Sequence, residues 1–131
     1  MREPDWITRA ICDAIHSDQI RQHGGRSGIR DENVIESALA RPRNKFAYDS
    51  TCDIRVLAAA YTYALSRNHG YVDGNKRVAV MVMYTFLGLS GVRLRATEPE
   101  VVRAVVKIAS GTMSESALIT WLEAHTVSRS R

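Results

Sequence analysis

The stretch VAVMVMYTFLGL, from Val78 to Leu89, is apolar almost all the way round. A helix of this kind has no face to give to water and needs cover on nearly every side. Its β-branched residues would suit a strand, yet a run this long favours helix. The rest of the chain must therefore wrap around a buried central helix at about 75–90, which Gly91 closes. At 131 residues, 45% hydrophobic and 24% charged, the chain has the size and composition to do this as a single domain, 1–131.

The covering elements read as helices too. In DWITRAICDAIHSDQIRQHGG, apolar residues from Trp6 to Ile15 recur at helical spacing, and Gly24–Gly25 supplies a stop. RDENVIESALARP reads as a helix capped by Asp31 and ended by Pro42. DIRVLAAAYTYALSRNH carries Val56, Leu57, Ala60, Tyr61, Ala64 and Leu65 on one stripe, with Asp53 placed to cap it. TEPEVVRAVVKIASG opens with a capping-box pattern, Thr97 to Glu100, and has Pro99 in its first turn. SESALITWLEAHT starts at Ser114 and offers Leu118, Trp121 and Leu122 to a core. The expectation is an all-α, compact six-helix bundle. RNKFAYDST (43–51) is the one stretch that reads as a short extended flap.

No apolar run reaches bilayer length, and MREPDWITRA lacks the apolar core of a secretory signal, so a cytoplasmic protein with no membrane partner is expected. Cys12 and Cys52 have no metal-ligand spacing, and Cys12 reads as a small packing residue. The net charge of +4 hints at an acidic or phosphorylated partner, but the tail VSRSR, expected to be mobile over 127–131, supplies two of those charges. There is no recognition-helix motif and no aromatic-basic stacking pattern, so nucleic acid is not an expected partner.

Between two of the helical stretches lies RNHGYVDGNKR, residues 67–77. The first turn of a helix has main-chain N–H groups without partners, and its dipole favours negative charge. Gly74 before Asn75 lets a ligand approach that turn closely. Lys76 and Arg77 add a point charge and a planar fork, diverging by about 100° around the helix but able to curl round a phosphate on its axis. Asp73 beside such a cradle suits Mg²⁺, and His69, with an ordinary pKa near neutrality, is the natural general base. Each residue alone has a plainer explanation: Asp and Asn cap helices, and a loop histidine is more often structural than catalytic. Their occurrence together favours function without naming a reaction.

HGYVDGNKR (69–77) resembles the signature of the Fic/Doc family, and the match is closest to its Doc, or death-on-curing, toxin branch. Lys76 stands where Fic AMP-transferases carry a second glycine. GGRSGIRDENVIESALARPRNKFAY (24–48) also looks like this branch. The resemblance implies that His69 deprotonates a hydroxyl of a protein substrate and that Asp73 helps hold Mg²⁺. It implies that Asn75, Lys76 and Arg77, at the helix start after Gly74, bind the phosphates of ATP, with Arg67 as a further basic position. A lysine at 76 would change the nucleotide pose, as expected of a kinase that phosphorylates a threonine of elongation factor Tu and stops translation. An antitoxin whose disordered segment folds on binding, along a groove near the site, is the implied partner.

Gly70 replaces a proline common in Fic proteins. Tyr71 replaces phenylalanine, and its hydroxyl needs a partner. His16 matches a histidine in the first helix of Doc toxins and reads as a supporting residue. Arg41, Arg43 and Lys45 could dock an acidic target or be merely solvated, with Phe46 as a core plug. His23 and His125 lie at helix ends with no chemical context. AMP transfer to a protein hydroxyl is the near rival, and a catalytically silent basic binding module is the distant one.

Overall fold

The computed structural model describes residues 2–128. Among them the chain forms α1 (Arg9–His23), α2 (Glu32–Tyr48), α3 (Ile54–Asn68), α4 (Asn75–Leu89), β1 (Val92–Leu94), α5 (Glu98–Ser110), α6 (Glu115–His125) and β2 (Thr126–Ser128). The all-α, six-helix expectation is met, with one addition. β1 and β2 pair antiparallel, Arg93 opposite Val127, so Val127 and Ser128 belong to a ladder and not to a mobile tail. Residues 129–131 of that expected tail lie outside the described residues.

The predicted caps are in place. Asp31 accepts from Asn33 and Val34, Asp53 from Arg55 and Ser114 from Ala117, while Thr97 and Glu100 close a reciprocal capping box. α1 starts later than its apolar pattern suggested, because Thr8 caps it at Ile11. Ile7 lies ahead of that helix, fully buried, its N–H bonded to the Tyr61 hydroxyl at 2.9 Å.

α4 buries Val78, Ala79, Val82, Met83, Phe86 and Leu87. α3 shares the centre, touching α2, α4, α5 and α6 and burying every residue from Leu57 to Ser66 except Tyr63. Small side chains at Ala58, Ala59, Ala60 and Ala64 make that close approach feasible.

The flap expected at 43–51 is absent: α2 runs through Pro42 to Tyr48, and only residues 49–53 turn. An interior proline removes one helix hydrogen bond and costs about 3 kcal/mol. Long-range anchors offset this. Pro42 is itself buried, Phe46 packs edge-on against Trp6 at 5.7 Å, and Arg41 pairs with Glu115 of α6. Phe46 thus packs against the edge of the core, half-buried, where a core plug was one reading of its position.

A candidate phosphate-handling site at the start of α4

α3 ends at Asn68, and His69 turns the chain in the left-handed region, with φ 51° and ψ 57°. It is the one described non-glycine residue with positive φ. Such a conformation costs roughly 1–2 kcal/mol for a residue with a Cβ, so the surroundings must hold it. They do so through the segment after α1. Arg30 Nε donates to the His69 carbonyl at 2.6 Å and Arg30 Nη2 to the Asn68 carbonyl at 3.0 Å. The N–H groups of Arg30 and Asp31 both donate to the Gly70 carbonyl, and Val72 N–H donates to Gly28 O. Ile29 and Tyr71 form an antiparallel bridge between these bonds. Residues 24–31 are therefore a strap laid across the loop.

Beneath the loop, Tyr71 is buried and stacks on His16, with ring centroids 3.9 Å apart and planes 9° from parallel. Its hydroxyl donates to Asp13 at 2.6 Å, which supplies the partner its departure from phenylalanine requires. Burial and this bond push the phenol pKa up. His16 donates through Nε2 to the Asp73 carbonyl at 2.9 Å, so it supports the loop from below and does not face it as a second base.

Asn75 is buried, and its amide closes a reciprocal pair with the Tyr71 main chain, Oδ1 and Nδ2 each at 3.0 Å. With the side-chain amide so engaged, only its main-chain N–H is left to face a ligand. Gly74 caps α4 at φ 82° with no side-chain hydrogen bond, leaving the N–H groups of the first turn open. Lys76 is exposed there, and Arg77 is half-buried with Nη1 3.3 Å from the Gln19 carbonyl.

Asp73 accepts from Arg26 N–H at 3.1 Å and from Gly74 N–H at 2.8 Å, one bond to each oxygen. These two bonds, with Arg77 and Arg26 nearby, hold its carboxyl below the usual range. Gly25 makes this approach possible: a Cβ there would lie 2.7 Å from Asp73 Oδ2, and its φ is 114°. An ionised carboxylate with free lone pairs beside an anion cradle fits Mg²⁺, which takes one or two protein carboxylates and fills the rest of its shell with phosphate and water. Among the described residues no cluster of three or more His, Cys, Asp or Glu could hold a metal by itself.

The structure thus gathers His69, Asp73, Gly74, Asn75, Lys76 and Arg77 on one loop and helix start. Arg67 goes elsewhere. Its guanidinium lies 5.7 Å over the Tyr63 ring, 3.5 Å from the Ile108 carbonyl at the end of α5, and no hydrogen bond joins it to residues 69–77. Arg26, Arg30, Asp13 and Gln19 support the site without having been expected there; the glycine-rich GGRSG was the one local sign that a backbone passes close by. A groove of about 480 Å³ between α2 and α3, lined by Ser37, Arg41, Asn44, Lys45, Tyr48 and Asn68, runs up to the residue before His69.

The family model described as the Fic/DOC family matches residues 6–87, from just before α1 to nearly the end of α4. A protein of Escherichia phage P1 named protein kinase doc is 31% identical over 105 residues, covering 80% of this chain and 82% of that protein. A protein of Mycolicibacterium smegmatis named toxin Doc is 40% identical over 74 residues, covering 56% of this chain and 57% of its own length. With the signature loop set at the start of α4 and the match running across the helices that carry it, the chain belongs to the Fic/Doc family, in its Doc branch.

Proposed function

We propose that this chain is a Doc-type toxin that moves the γ-phosphoryl group of Mg-ATP onto a serine or threonine hydroxyl of a translation factor, elongation factor Tu being the expected target. The observation that carries this reading is the exposed His69 at one end of a six-residue turn whose other end is the uncapped start of α4. A base and an anion cradle on one short loop suit hydroxyl activation next to a phosphate chain.

His69 would take the hydroxyl proton as the oxygen bonds to the γ-phosphorus, and the bond to the β–γ bridging oxygen breaks to release ADP. The open N–H groups of the first turn, with Lys76 and Arg77, hold phosphate oxygens. Mg²⁺, held by Asp73 and phosphate, would neutralise charge on the transferring group. Lys76 favours phosphate over AMP transfer because its side chain occupies room that a glycine would leave to the nucleotide. The protein segment bearing the hydroxyl would lie in the α2–α3 groove that ends at Asn68. An antitoxin segment folding into the same groove would keep that substrate from His69.

The test is incubation with γ-labelled ATP and elongation factor Tu. Label should pass to the factor, and His69→Ala should lower the rate at least about 100-fold, the usual contribution of a positioned general base. Equal labelling by the variant, or a mass increase of a whole adenylyl group, would reject phosphate transfer by this base.

A further inference from the structure

We infer that Arg30 is a positioning residue for His69, acting through the main chain. Three consecutive carbonyls, those of Asn68, His69 and Gly70, are bound by this one residue: the first two by its guanidinium at 3.0 and 2.6 Å, the third by its N–H at 2.9 Å. The Asn68 carbonyl belongs to the peptide plane before the His69 Cα and the His69 carbonyl to the plane after it. A rigid planar fork bound to both planes fixes φ and ψ at His69 together, and with them the direction of its Cα–Cβ bond. The need is specific, because His69 is held at φ 51°, where a side-chain-bearing residue does not rest by preference.

Lysine cannot replace this fork, since one ammonium lacks the planar pair of donors. The nucleotide cradle is anchored separately, by Asn75 on the Tyr71 main chain and by Asp73 on Arg26 and Gly74. Loss of the Arg30 side chain should therefore disturb the base and spare the cradle.

What His69 does rests on the proposed reaction; where Arg30 holds it does not. Two measurements keep the claims apart. In ¹H–¹³C spectra, Arg30→Ala should move and broaden the His69 imidazole signals, with a Tm loss of no more than roughly 5 °C. In the transfer assay, kcat should fall about 100-fold with KM for ATP within a factor of about two, as expected for a misplaced reacting group. Arg30→Lys should recover little, and added guanidinium ion should restore part of kcat to Arg30→Ala, because position 30 is exposed.

Unchanged His69 signals in both Arg30→Ala and Arg30→Lys would overturn the proposal. So would a parallel loss of kcat, ATP binding and Tm that guanidinium does not reverse. A wild-type protein that transfers nothing would reject the proposed reaction, and the spectra would still decide the role of Arg30.

Discussion

Tyr71 shows how one atom changes the loop's attachment. Its ring fills the space under residues 69–74 and stacks on His16, while its hydroxyl reaches Asp13, which also receives Arg9 of the same helix at 3.0 Å. In Tyr71→Phe the ring stays and Asp13 keeps Arg9, so the losses are the hydrogen bond to a part-exposed carboxylate and the longer contact to Cys12 Sγ at 3.4 Å. The variant should unfold in urea with an unchanged slope and about 1 kcal/mol less stability. The hydroxyl's need for a partner was readable from its chemistry alone; that the partner is Asp13 was not, because 58 positions separate them. Asn75 was readable in the opposite sense. The motif marks it as a phosphate residue, yet its amide turns back onto Tyr71, four positions earlier, and fastens the turn instead.

At the level of elements, the loop and its strap behave as a pair of short chains laced by hydrogen bonds. Asp73 is the lace that titrates. Its folded-state pKa lies below its unfolded value, so the stability it contributes is complete above the ordinary aspartate value near 4. That contribution is lost as pH falls through the lowered folded value. Amide shifts of Arg26 and Gly74, followed by NMR, should therefore titrate together with a midpoint below about 4. Asp73→Asn should abolish that step. The helices were legible because their start signals are local: Asp31, Asp53, Thr97 with Glu100, and Ser114 all cap within a turn of themselves. The end of α2 was not. Pro42 signals a stop, and what overrides it, Trp6 and Glu115, lies far away in the chain. The strap was illegible for the same reason, Arg30 and His69 being 39 positions apart.

Across the whole molecule, α4, whose first turn opens the site, is held towards its other end by an aromatic cluster in the same core that takes in Tyr71. Phe86 of α4 lies stacked at 6.2 Å from Trp6 and edge-on at 5.1 Å from Tyr61 of α3. Tyr61 in turn accepts the Ile7 N–H, and burial pushes its phenol up to about 12. Three separate parts of the chain thus meet on one ring. Phe86→Ala should cost about 3–5 kcal/mol, a large share of the 5–15 kcal/mol typical of a domain. Calorimetry would show it as a single lowered transition, with His69 signals moving only as the whole protein unfolds.

The buried Gly70 carries a consequence for how such chains diverge. An added Cβ there would lie 2.4 Å from Ile35 Cγ1 and 3.3 Å from the Ile35 nitrogen. Proline, common at this place in Fic proteins, has that same Cβ. The two positions are thus coupled: the Ile35 side chain or the loop itself must shift before a residue other than glycine fits at 70. A lineage holding isoleucine at 35 reaches the proline form of the loop only with a compensating shift beside it, and related sequences should show the two positions varying as a pair.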